Sequence, residues 1–159
     1  MLSLVVLLVL GADVLKPPKQ PGFVLTQMCR VTDLLNANEM KIHPEYYKDS
    51  MPHWVRLYGV DLPTADKRGY SGAREDLELL LGREPDVYVE DENPDHVITR
   101  NAYYVQYVWA YGKLIEFELV RDGWAKVNDE GRKGKYAKPM LAAQAEAQRL
   151  KEGLWGFER

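Results

Sequence analysis

The sequence has a single cysteine, Cys29, among its 159 residues. One cysteine excludes an internal disulfide, and because Cys29 lies in an apolar stretch typical of a strand, we expect an ordinary buried thiol. The three histidines (His43, His53 and His96) do not have the spacing of metal ligands. This pattern argues against a zinc site.

The sequence also has no excess of positive charge, since the formal net charge is -3. A protein that holds nucleic acid by neutralising phosphates is normally basic, so nucleic acid is not an expected partner. Residues 132–138 form a basic cluster, which is either a solvated loop or a contact for acidic lipid headgroups, nucleic acid or a partner. Residues 90–95 are acidic and would repel phosphate.

A long apolar run is missing as well, although residues 1–10 are almost wholly aliphatic. A membrane span needs about 20 apolar residues, so we interpret residues 1–15 as a hydrophobic anchor that dips into a membrane or lies in a groove of partner subunits. No basic residue precedes this run, which favours a retained anchor over a signal peptide. Residues 16–22 are a proline-rich linker, and residues 23–159 form the predicted domain.

Within that domain, alternating apolar residues predict strands and helical spacing predicts helices. Ser71 is the expected cap of the first helix, and Gly82 is its expected end. The predicted strands cover residues 23–32, 39–43, 52–63, 86–90 and 102–110; the predicted helices cover residues 71–81, 114–121 and 140–152. Five short strands with a helix between the third and the fourth predict a mainly β, α+β domain with a partly open barrel.

The strand that ends at Pro63 carries the first candidate chemistry. Val55 and Leu57 alternate with Arg56, the pattern of a half-buried strand, and Pro63 stops the ladder. A curled sheet would aim Arg56 and Asp61 into one cleft. The alternative is that Arg56 pairs with a surface acid and Asp61 caps a turn.

A second feature is an aromatic strip on the last predicted strand. Tyr103, Tyr107 and Trp109 lie on one strand face, with Tyr111 beyond them. OB-type folds stack bases on such residues, but aromatic side chains on a strand are more simply interpreted as core.

Three motifs, in order, resemble the staphylococcal-nuclease-like (thermonuclease-like) family. Residues 56–63 (Arg-Leu-Tyr-Gly-Val-Asp-Leu-Pro) are similar to its R-L-x-G-[IV]-D-x-P-E motif. Residues 110–127 are similar to its A-D-G…G-x-A-x-V segment, and residues 153–155 (Gly-Leu-Trp) are similar to its carboxyl-terminal ending. The resemblance covers roughly residues 23–157 and implies a five-stranded OB-type barrel with three helices.

Active members of that family cut DNA or RNA with a calcium ion held by carboxylates, a glutamate that orients or activates water, and two arginines. By this resemblance Arg56 matches the first arginine and Asp61 matches a metal carboxylate. The other family positions are replaced: two carboxylates by Asn36 and Asn38, the glutamate by Thr64, and the second arginine by Tyr103. The resemblance therefore implies no catalytic residues and no cofactor here, with calcium as the alternative.

Neighbouring residues offer a partial substitute for the lost groups. Asp33 or Glu39 would restore one carboxylate and, with Asp61, are the candidate metal ligands; Arg100 would replace the missing arginine. Each substitution requires a remodelled loop.

The leading hypothesis is a non-catalytic accessory or scaffold subunit of a membrane-associated protein complex, with other subunits as partners. A mitochondrial membrane is favoured, with secretion or the cell envelope as alternatives, because a secreted nuclease would be expected to keep its catalytic groups. Two other hypotheses remain: a calcium-dependent nuclease with a residual or altered site, and a non-catalytic module that binds single-stranded nucleic acid.

Overall fold

The computed structural model describes residues 26–44, 51–83, 86–93, 99–100 and 103–157. The predicted anchor (1–15), the linker (16–22) and the start of the first predicted strand lie outside the described residues, so the domain boundaries stay predictions. The described strands are β1 (Thr26–Leu34), β2 (Glu39–Pro44), β3 (His53–Leu57), β4 (Val60–Asp61), β5 (Asp86–Glu90), β6 (Thr99–Arg100), β7 (Tyr103–Ala110), β8 (Lys113–Leu114) and β9 (Lys126–Val127).

Five of these strands close into a barrel. Their order is β3-β2-β1-β5-β7, and β3 pairs with β7 in parallel to complete the circle. The other pairings along the barrel are antiparallel. Strands β6 and β8 extend β7, and β4 pairs with β9 in a separate two-stranded sheet. The predicted five-stranded barrel is confirmed.

Three helices complete the described fold: α1 (Tyr70–Leu81), α2 (Ile115–Arg121) and α3 (Ala137–Leu150), followed by a 3-10 turn over Gly153–Phe157. The prediction of three helices is confirmed. Among the described residues, no helix combines the length and the apolar character needed to cross a membrane.

The core fills the barrel and continues to α1 and α2. Cys29 is fully buried, as predicted for an ordinary thiol. Tyr107 and Trp109 are also buried, which confirms that this part of the aromatic strip belongs to the core, whereas Tyr111 is exposed at the β7–β8 turn. Tyr111 and Gly112 both have positive φ (50° and 75°), the geometry of a tight two-residue hairpin.

The predicted single strand over residues 52–63 is wrong. β3 ends at Leu57, and Gly59, with φ of 73°, turns the chain before β4 begins. Positive φ is open to glycine at little cost, so the glycine decides where the strand breaks. The break turns Asp61 out of the barrel sheet and into the small sheet with β9.

Two other boundaries differ from the predictions. β1 does not stop at Thr32 but runs to Leu34, because Asp33 stays in the ladder opposite Lys41 beyond an irregularity in the register. Ser71 does not cap α1: Gly69 is the cap residue, in a left-handed conformation.

α3 begins at Ala137, three residues earlier than predicted, and ends at Leu150. Pro139 does not prevent this start, because amide donors in the first helical turn have no partner within the helix. Lys151 then ends the helix in a left-handed conformation.

Candidate functional site

The fold brings five of the six family-equivalent positions into one cleft of about 430 Å³. The cleft lies between the β1–β2 turn, the end of β3, the β4 segment and the loop after β9. These five are Asn36, Asn38, Arg56, Asp61 and Thr64, and the candidate metal ligand Glu39 also lines the cleft. Arg56 and Asp61 thus line one cleft, although Asp61 reaches it from the small β4–β9 sheet and not from a curled barrel strand.

Arg56 lies on β3 directly opposite Glu39 of β2. Its Nε donates to Glu39 Oε1 at 2.8 Å, and its Nη2 donates to the same oxygen. Glu39 is only 7% exposed. Arg56 thus pairs with an acid, as the simpler alternative predicted, but the acid is buried and lies within the cleft.

The β1–β2 turn is shaped by its two asparagines. Asn36 Oδ1 accepts from the backbone amide of Asn38 at 3.0 Å, and Asn36 Nδ2 donates to Glu39 Oε2 at 2.6 Å. The Asn38 carbonyl accepts from the amide of Leu57 at 3.1 Å, which ties the turn to the end of β3. Asn36 therefore works as a turn-forming residue that also holds Glu39.

Asp61 is exposed on β4 and is held from the neighbouring sheet. Asn128, which follows β9, donates from Nδ2 to Asp61 Oδ1 at 3.1 Å. The Oδ1 of Asn128 accepts the amides of Glu130 and Gly131, so the amide side chain joins Asp61 to the loop after β9. Asn128 and Glu130 also line the cleft, and neither was singled out from the sequence.

The Thr64 hydroxyl makes a hydrogen bond within its own loop. Its Oγ1 donates to Asp66 Oδ1 at 2.6 Å within the same exposed loop. This hydrogen bond, together with Lys67, lowers the pKa of Asp66 below its usual value. Thr64 and Asp66 form a local loop contact.

Tyr103, which the resemblance puts at the position of the family's second arginine, lies beside Arg56. The Arg56 guanidinium carbon lies 5.0 Å from the centre of the Tyr103 ring, and the centres of the Trp54 and Tyr103 rings lie 6.2 Å apart. The backbone of Arg100 pairs with Tyr103, but the Arg100 side chain is outside the described part of the structure.

The candidate metal ligands do not converge. Asp33 lies on β1 and is not part of the cleft lining, Glu39 is bound to Arg56, and Asp61 is bound to Asn128. Within the described ranges, no group of three or more aspartate, glutamate, histidine or cysteine side chains is placed to hold a metal ion. A hard divalent cation prefers several oxygen ligands with negative charge, so the donors present do not fit a calcium ion.

A buried polar network, which the sequence did not indicate, positions the loop beside the cleft. Glu90 accepts from Trp109 Nε1 at 2.8 Å and from the Tyr136 hydroxyl at 3.0 Å, and it pairs with Lys135 Nζ at 2.6 Å. Glu92 accepts from the Tyr107 hydroxyl at 2.8 Å. Burial, strengthened by Glu92, raises the pKa of Tyr107.

The network joins the acidic stretch (residues 90–95) to the basic cluster (residues 132–138). Lys135 belongs to the basic cluster, and Glu90 begins the acidic stretch. Their opposite charges are the one sequence signal that would have suggested a contact. The basic cluster is therefore not a purely solvated loop, although Arg132, Lys133 and Lys138 are exposed.

A family model described as staphylococcal nuclease homologue matches residues 54–156. These residues run from β3 to the 3-10 turn and are well over half of the chain. The chain belongs to the staphylococcal nuclease homologue family. A search of individually curated proteins found no match.

The family match includes Arg56, Asp61, Thr64 and Tyr103 but begins after the β1–β2 turn. Asn36, Asn38 and Glu39 thus lie outside the matched segment, although the structure places them in the same cleft. The staphylococcal nuclease-like barrel of this chain is completed by β1 and β2, and β2 carries Glu39, which holds Arg56.

Proposed function

We propose that this staphylococcal nuclease-like domain is non-catalytic and acts as an accessory or scaffold subunit of a membrane-associated protein complex. The observation that carries the proposal is the composition of the cleft. Its arginine is neutralised by Glu39, its carboxylates do not converge on a metal position, and Thr64 occupies the position of the family's glutamate.

Each of these changes removes a separate contribution to phosphodiester cleavage. A metal ion and a positioned arginine each stabilise developing negative charge by several kcal/mol, and a threonine hydroxyl does not act as a general base near neutral pH. The losses occur together in one cleft. A residual or altered nuclease therefore has little left with which to lower the barrier.

A scaffold role is supported by what the chain keeps. The barrel has a complete buried core, so the fold is maintained without the catalytic set. The apolar residues 1–15 and the proline-rich residues 16–22 would attach the barrel to a membrane or to a hydrophobic groove of a partner. A mitochondrial membrane remains the favoured location, because a secreted nuclease would be expected to keep its catalytic groups.

A cleavage assay tests the non-catalytic part. Wild type and Asp61→Ala are incubated with labelled single-stranded DNA and RNA, with calcium, with manganese and with chelator. We expect equal, background cleavage by both proteins in every condition. Metal-dependent cleavage by wild type that is lost in Asp61→Ala would establish a residual nuclease instead.

Purification of the native protein in mild detergent tests the scaffold part. We expect other subunits to co-purify with it at fixed stoichiometry from a membrane fraction. A variant with Leu4, Val5, Leu7 and Leu8 changed to serine is expected to leave that fraction. Recovery of wild type as a lone soluble monomer would contradict the proposal.

A further inference from the structure

The Nε–Nη2 edge of Arg56 is fully used within the protein. This edge is the fork with which arginine recognises a carboxylate or a phosphate. Both nitrogens donate to Glu39 Oε1, the Nε bond being 2.8 Å long. The ring of Tyr103 lies over the guanidinium at 5.0 Å. Any external anion that approached this edge would meet a carboxylate already in place.

Glu39 is fixed in that position by the fold. Its backbone is paired with Arg56 across β2 and β3, which keeps both side chains on the same face of the sheet. Its second oxygen accepts from Asn36 Nδ2 at 2.6 Å. The residue is nearly buried. The strand register, the hydrogen bond from Asn36 and burial therefore act together to hold the carboxylate against the arginine.

We propose that Glu39 is an internal substitute for phosphate, which occupies the anion-binding edge of Arg56 and excludes phosphate esters from the cleft. A phosphate that displaced Glu39 would leave a nearly buried carboxylate without its cation. A phosphate that bound beside Glu39 would lie within a few ångströms of a like charge. Both arrangements are costly in a partly buried site.

The inference rests on the proposed function, because it supplies a physical reason why the cleft would not bind the family's phosphodiester substrate. The role of Glu39 also leads to a prediction that the proposed function alone does not make. Neutralising one side chain would restore anion binding without restoring cleavage, because the metal ligands and the glutamate would still be absent.

The test uses the full-length chain in mild detergent and inorganic pyrophosphate as the probe. Binding is measured by calorimetry at low salt, and the Arg56 Nε–Hε signal in a ¹H–¹⁵N spectrum reports the site. We expect Glu39→Gln to bind pyrophosphate at least about tenfold more tightly than wild type, with a shifted Arg56 signal. Glu39→Thr, which suits a strand, is a second variant if glutamine perturbs the fold.

Two controls separate this role from a general change in charge. Glu130→Gln removes the same charge from the same cleft and is expected to change pyrophosphate affinity less than about twofold. The double variant Glu39→Gln/Arg56→Gln is expected to lose the gain. Circular dichroism checks that each variant folds.

The inference is overturned if wild type binds pyrophosphate as tightly as Glu39→Gln, if a folded Glu39→Gln or Glu39→Thr gains no affinity, or if Glu130→Gln gains as much. These outcomes are distinct from a failure of the proposed function, which would appear as metal-dependent cleavage by wild type.

Discussion

Gly59 and Gly131 approach each other so closely that a Cβ atom on Gly59 would lie 2.6 Å from the Cα of Gly131. The contact joins the β3–β4 turn to the loop after β9, and the amide of Asn128 donates to the Gly59 carbonyl at 3.1 Å beside it. The same two segments carry Asp61 and Asn128. The shape of the cleft therefore depends on this pair of glycines.

Gly59→Ala is expected to lower the free energy of unfolding by roughly 3 kcal/mol or more, because it adds a clash to a positive φ. Gly112→Ala is the matched control: its φ is also positive, at 75°, but a Cβ there would meet nothing within 4 Å. Gly112→Ala should lower the free energy of unfolding by only about 1 kcal/mol. Urea denaturation measures both, and equal losses would show that the close approach is unimportant.

Glu116 should make the protein less stable as pH rises. Its carboxyl is fully buried on α2 and accepts from the Val108 amide, and the backbone amides of Tyr58 and of Glu116 itself also favour its charged form. Burial raises the pKa of Glu116 well above 4.5, so the folded state favours the protonated form. The stability that this group contributes is present below pH about 4.5 and is lost as pH rises towards the folded pKa.

Glu116→Gln removes that dependence, because the amide has the same shape and does not titrate. We expect the variant to be more stable than wild type at pH 8, and the difference to shrink towards pH 4. Chemical denaturation at several pH values measures it, with the exposed Glu146→Gln as the control. A variant that is less stable than wild type at pH 8 would contradict the prediction.

Asp76 on α1 should titrate near neutral pH. Burial, with a smaller contribution from Asp122, raises the pKa of Asp76 to about 6, and its Oδ2 is buried without a hydrogen-bond partner in the described structure. Because the folded pKa is raised, stability falls as pH increases from about 4 to about 6. Asp76 is only partly buried, so solvent screening limits the effect on stability to on the order of 1 kcal/mol.

Asp76→Asn is expected to be more stable than wild type above pH 6 and equal to it near pH 4. Asp66→Asn, at an exposed position, should show no such gain at high pH. Thermal unfolding over that pH range provides the measurement, and a flat difference for Asp76→Asn would contradict the prediction.

From the hydrogen bonds around Glu90 we predict losses of stability of two different sizes. Tyr136→Phe removes one donor while Trp109 and Lys135 still hold the carboxylate, so it should cost about 1 kcal/mol. Glu90→Ala leaves the Trp109 and Tyr136 donors without this acceptor, whereas Lys135 Nζ still donates to the Asp91 carbonyl, and should cost about 3 kcal/mol or more. Denaturation measures the free energy of unfolding of both variants, with Glu146→Ala as a control at an exposed position. Losses of equal size would show that Glu90 is not the centre of the network.

The barrel and its three helices could be predicted from the sequence because their signals are local. Alternating apolar residues mark the strands, and three motifs in order mark the family. The strand break at Gly59 was missed, since Val55 and Leu57 suggested a strand that continued to Pro63. The close approach of Gly59 to Gly131, which requires a residue without a side chain at this break, joins positions 72 apart in the chain and leaves no local pattern.

The candidate site was predicted only in part, because the family motifs are visible in the sequence whereas contacts between distant residues are not. Family positions placed Arg56, Asp61 and Thr64 in the cleft, and the structure agrees. The partner of Arg56 depends on the register between β2 and β3, which a sequence pattern does not specify to one residue. Asn128 was missed because it reaches Asp61 only through the pairing of β4 with β9.

The most direct measurement of the central claim is the single-turnover rate at which excess wild-type protein cleaves labelled single-stranded DNA in the presence of calcium, relative to Asp61→Ala. We predict two identical rates, both equal to the rate without protein. A calcium-dependent rate for wild type that is at least tenfold above that of Asp61→Ala would contradict the claim that this barrel is no longer a nuclease.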